Sequence, residues 1–103
     1  KTHLSTDRLM LKDGKKIRLV KESDVLCLIA EGDFVRVRLQ NGEDILDWTS
    51  LNDFEERLSK NRFLRIHRSA IVWLDAIEEI EIVGHGKMEL RLSDESIHTV
   101  SKS

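Results

Sequence analysis

The 103-residue chain has no proline, no tyrosine, a single cysteine and an aromatic fraction of only 5%. Each shortage removes a class of function. So few rings cannot build the stacking platform that holds single-stranded nucleic acid, or the aromatic groove that holds proline-rich peptides. Any ligand must be read mainly by polar side chains and backbone. The lone Cys27 cannot close an internal disulfide, and its place in the apolar stretch Val25 to Ala30 reads as a core thiol in a reducing cytosol. No apolar run approaches the roughly 18 residues of a membrane span, and the N-terminus lacks the basic, apolar and small-residue succession of a secretion signal. A cytoplasmic domain without membrane contacts of its own is expected.

There is also no excess of positive charge, since the formal net charge is -2 at pH 7. The distribution says more than the sum. Residues 1 to 21 carry seven basic side chains against Asp7 and Asp13, and residues 62 to 68 carry Arg62, Arg65, His67 and Arg68 with no acid. Residues 43 to 56 hold six carboxylates and no base. With 40% hydrophobic and 35% charged residues, the composition is that of a folded domain, and the length suits one domain.

Most of the chain alternates with period two, the pattern of a pleated strand with one face buried. Alternating segments on either side of Asp13-Gly14 predict a hairpin of strands near 8–12 and 16–20 turning on that dipeptide. Gly32-Asp33 turns Val25–Glu31 into Phe34–Leu39, and Asn41-Gly42 closes another hairpin. Leu51, Phe54 and Leu58 switch to helical spacing, with Ser50 placed to cap, and predict one short helix over about residues 50–60. Strand spacing resumes over Phe63–Val72. Ile80 and Ile82 are expected inward on the next strand, and Met88, Leu90 and Leu92 inward after the turn at Gly84-His85-Gly86. Trp48 and Trp73 read as packing residues. The sum is a mostly β, antiparallel architecture of seven or eight short strands with one helix.

Enzymatic chemistry finds no footing. The four histidines and one cysteine show no metal-ligand spacing, and no glycine-framed elbow presents a serine nucleophile. Gly84-x-Gly86 lacks the following helix of a phosphate loop and reads as a hairpin turn. Neighbouring carboxylates such as Glu78 and Glu79 point to opposite faces of a strand. Neither a catalytic group, a metal nor a cofactor is expected. The segment Phe63 to Ser69 stands out, because arginine's planar fork matches phosphate oxygens or the O6 and N7 of guanine, and no acid lies nearby in sequence.

That segment, Phe63-Leu64-Arg65-Ile66-His67-Arg68-Ser69-Ala70-Ile71-Val72, resembles the signature of the LytTR DNA-binding domain of bacterial transcriptional regulators. The resemblance extends over nearly the whole chain through Ala30-Glu31-Gly32-Asp33-Phe34-Val35, the Ser50-Leu51 helix start, the Gly84–Gly86 hairpin and the closing Val100-Ser101-Lys102. It implies an elongated antiparallel β fold whose loops enter successive major grooves of double-stranded DNA. It places base-edge contacts at Asp33, Arg68 and Lys102, and phosphate contacts or loop bracing at Arg65, Ser69 and Ser101. His67 either orients the Arg68 loop or packs beneath it. Asp33 is acidic where a neutral or basic side chain suits DNA better, and Lys102 keeps the charge of arginine without its fork. Lys1 in place of an initiating methionine fits a C-terminal piece of a longer regulator, whose preceding portion is expected to be a phosphoryl receiver, another sensor or a membrane segment. Dimers on paired sites follow from the same resemblance. The competing reading is a β-rich protein-interaction module that binds no DNA.

Overall fold

A computed structural model describes residues 8–101 of the chain. Ten strands and one helix follow in order: β1 (Arg8–Asp13), β2 (Lys16–Lys21), β3 (Val25–Glu31), β4 (Phe34–Leu39), β5 (Asp44–Asp47), α1 (Leu51–Arg57), β6 (Phe63–His67), β7 (Ala70–Trp73), β8 (Ile77–Gly84), β9 (Lys87–Leu92) and β10 (Ile97–Val100). The strands form a hairpin β1-β2, a central sheet ordered β5-β4-β3-β7-β6 and a three-stranded sheet β10-β9-β8. Every pairing is antiparallel.

Alternation places a core on each face of the central sheet. Val35, Val37 and Leu39 of β4 face one way with Leu28 and Ile71, and are covered by Leu9, Leu11 and Val20 of the hairpin and by Leu51, Phe54 and Leu58 around the helix. Leu26, Cys27, Ile66 and Val72 face the other way, against Leu90 and Leu92 of β9. A bulge between Val25 and Cys27 turns Leu26 and Cys27 to the same side, which strict alternation forbids. The mostly β architecture with one helix is therefore as expected, and its principal extents are 43 × 34 × 26 Å.

Several details depart from the expectation. The first hairpin turns on Gly14-Lys15, one residue later than Asp13-Gly14, because Asp13 pairs with Lys16 and only Gly14 needs positive φ, at 64°. The helix ends at Arg57, with Ser50 capping it by accepting from the Asp53 amide at 3.1 Å. Its last amide bond is from Leu58 N–H to the Phe54 carbonyl, where Leu58 has already turned to extended geometry. Phe63–Val72 is not one strand: it folds back at Arg68-Ser69 into β6 and β7. Ile80 and Ile82 are 57% and 74% exposed, and Met88 is 38% exposed, because the distal half of β8-β9 runs past the core that Leu90 and Leu92 fill. Trp48 is 72% exposed rather than a packing anchor, whereas Trp73 does pack, edge-on to Phe63 at 5.1 Å.

Candidate nucleic-acid interface

Strand direction in the central sheet brings the end of β3, the start of β4 and the β6-β7 turn to the same end of the molecule. The Ala30 amide donates to the Ser69 carbonyl at 2.8 Å, tying the Gly32-Asp33 turn to the Arg68-Ser69 turn. Gly32, Asp33, Trp48, Thr49, Asn52 and Arg68 line one open concavity of about 360 Å³. Ser101 N–H donates to the Ile66 carbonyl at 2.8 Å, so the chain leaves β10 beside β6, two residues before Arg68. Three of the segments singled out in the sequence thus converge. Lys102 lies outside the described residues.

The β6-β7 turn is shaped by side chains. Arg65 Nε donates to the His67 carbonyl at 3.0 Å and Nη2 to the Arg68 carbonyl at 2.6 Å, while Nη1 donates to Asn52 Oδ1 at 2.9 Å and Glu55 Oε1 at 2.7 Å. Asn52 and Glu55 are one helical turn apart, so α1 holds the arginine from outside while its fork grips two successive loop carbonyls. His67 Nδ1 accepts from the Ser69 amide at 3.0 Å, which places the ring under the turn with its proton on the other nitrogen. Arg65 and His67 thus both contact the backbone of the Arg68-Ser69 turn. The expectation that no acid neighbours this segment holds only along the chain, because Glu55 arrives from the helix.

Among the described residues most arginines are paired with carboxylates, whereas Arg8, Arg57 and Arg68 are not. Arg36 pairs with Glu31 through two bonds of 2.9 and 2.8 Å, and Arg38 with Asp44 through two of 2.8 and 2.9 Å. Arg18 pairs with Glu43 at 2.6 Å. The Arg38 guanidinium holds the Asp44 carboxyl below the usual carboxylate range, and Arg36 does the same for Glu31. Among the described residues no carboxylate lies within 4 Å of Arg68, so its fork is available to an outside acceptor. Sequence reasoning missed Asn52 and Glu55, although their spacing on one helix face was legible, and it placed Trp48 in the core.

The fold is that of a small antiparallel β domain with a helix-held arginine turn at one end. Comparison with known proteins gives the family: the model of the LytTr DNA-binding domain matches residues 15–103, and the chain belongs to that family. A solved LytTr DNA-binding domain from Bacillus cereus superposes with a TM-score of 0.81 at 28% identity, covering 92% of this chain and 86% of that one. The positive alginate biosynthesis regulatory protein of Pseudomonas aeruginosa is 34% identical over 90 residues, which are 85% of this chain and 36% of that protein. The sensory transduction protein LytT of Oceanobacillus iheyensis is 29% identical over 97 residues, 94% of this chain and 39% of that protein. The chain thus spans less than half the length of either regulator. Among the described residues no helix is long and apolar enough to cross a membrane.

Proposed function

We propose that the chain is the output domain of a bacterial transcriptional regulator and binds double-stranded DNA sequence-specifically, its loops entering successive major grooves. Arg68 reads a base edge, with guanine O6 and N7 the acceptors that fit its fork. Lys102 makes a second base-edge contact, and Asp33 accepts from a cytosine amino group in the same groove as Arg68. Ser69 and Ser101 hold phosphates or brace the loops, and Arg65 and His67 keep the Arg68 turn in shape. The parent acts in the cytoplasm as a longer chain with this domain at its C-terminal end, and two copies occupy repeated sites. The observation that carries the reading is the unpaired Arg68 fork on a turn that a second, fully engaged arginine rigidifies.

The test is a binding selection from random duplexes, repeated with Arg68→Ala and Lys102→Ala. Loss of a base-edge contact should cost about 1 to 3 kcal/mol and relax the preference at one base pair. An equal loss on every sequence would make the residue a phosphate contact. Failure of every duplex to shift the wild-type chain would leave the interaction-module reading.

A further inference from the structure

The chain has two tryptophans and no tyrosine, and one of the two stands in solvent beside the Arg68 turn. Trp48 is 72% exposed, yet it is not loose. Its ring meets Phe34 edge-on, with centroids 5.7 Å apart. The residue before it, Asp47, is buried and accepts from the Lys12 amide at 2.7 Å and the Thr49 amide at 2.8 Å, pinning the backbone on both sides of the indole to the first hairpin and the start of the helix. What sets this ring apart from the other exposed apolar side chains is its place in the concavity beside Arg68. The partner is indicated by what shares the concavity: Asp33 and Arg68 line it together with Trp48, so a ligand that fills it touches the indole as well as the guanidinium.

Building on the DNA-binding reading above, we infer that Trp48 is a DNA-contacting residue, its ring packed on the apolar C–H surface of the duplex next to the base pair that Arg68 reads. Two groups of a duplex present that surface to a groove-bound side chain, the deoxyribose rings and the thymine methyl. Phe34 backs the ring, and Asp47 is the positioning residue that sets its angle.

The absence of tyrosine and the packing of Trp73 on Phe63 make the test direct, because emission from Trp48 is separable from that of Trp73. The 103-residue chain is titrated with the duplex recovered by selection, following tryptophan emission and mobility shift together, as wild type, Trp73→Phe, Trp48→Phe and Trp48→Ser. The expected result is an emission change on binding that persists in Trp73→Phe and vanishes in Trp48→Phe. Trp48→Ser should bind about tenfold more weakly, equivalent to ~1.4 kcal/mol, with an unchanged melting temperature. Replacing thymine by uracil near the Arg68 contact reproduces part of that loss if the methyl is the partner and none of it if the sugar is. Normal affinity of Trp48→Ser, with wild-type emission unchanged at saturation, overturns the inference while leaving DNA binding intact. A concentration-dependent emission change without DNA would assign the ring to a contact between copies and overturn it too. Absence of any mobility shift takes down both readings.

Discussion

Replacing Arg65 by methionine tests whether the arginine holds the loop or touches the phosphate backbone. Methionine keeps the aliphatic stem and removes the guanidinium with all four of its hydrogen bonds, so the change isolates the fork. Two of the lost bonds go to loop carbonyls, one to Asn52 and one to Glu55, and the arginine side chain is 22% exposed. An exposed pair such as that with Glu55 is worth up to about 1 kcal/mol, and each remaining bond about 0.5 to 1 kcal/mol once exchanged with water. The expected loss is about 2–3 kcal/mol, which for a domain of this size lowers the melting temperature by roughly 10–20 °C. Thermal denaturation followed by circular dichroism reads this number, and a salt titration of DNA affinity reads the other role. A brace weakens binding through the distorted Arg68 turn and leaves the slope of log K against log salt unchanged, whereas a phosphate contact lowers that slope by about 0.9. Arg65→Lys restores the charge but not the fork, and should recover less than half the stability. A methionine variant that melts like wild type and loses one unit of salt slope, or a lysine variant that restores everything, would refute the bracing role.

Further outcomes concern chemistry away from the concavity. Burial pushes the Cys27 thiol up to about 12 from its ordinary value near 9, so the folded state favours the protonated thiol. Its contribution to stability is complete below about pH 9 and disappears as pH rises through about 12, and an alkylating reagent at pH 8 should label Cys27 only after denaturant is added. Asp44, depressed by its two bonds from Arg38, contributes stability that is present above its ordinary value of 3.8 and lost as pH falls through its lower folded value. Asp44→Asn should therefore flatten the acid limb of an unfolding titration while destabilising the protein at neutral pH. Arg68→Ala, by contrast, should leave the melting curve within about 0.5 kcal/mol of wild type, as expected for a surface side chain with no carboxylate partner.

Turns that depend on backbone freedom were legible and turns that depend on side chains were not. Gly14, Gly32 and Gly42 take φ of 64°, 62° and 92°, and each announced its hairpin through a residue that adopts this region cheaply. The Arg68-Ser69 turn has no residue of positive φ, so nothing in local composition separates β6 from β7. Its geometry comes from Arg65, from the His67 ring and from a bond to Ala30 across the sheet. The Arg68 position was readable only by family resemblance, and its isolation from carboxylates only in three dimensions. Ile80 and Ile82 show the converse limit: alternation gives the face of a strand but not whether another layer covers it, and β8 extends beyond the core. Trp48, read as a packing residue ahead of the helix, lies between β5 and α1, where no periodicity fixes which way a side chain faces. The charge polarity along the chain also misled, since Arg18 and Glu43, and Arg65 and Glu55, close in space what is separated in sequence.

The internal pairing of its arginines has a consequence for how such a domain searches a chromosome. Cations already committed to carboxylates release no counterions from a random stretch of duplex, and a formal charge of -2 adds no net attraction to it. Occupancy of a regulatory site is governed by the ratio of its affinity to that of the ~10⁶ or more decoys around it. A protein that pairs most of its arginines internally improves that ratio from below, by weakening its hold on duplexes that do not fit.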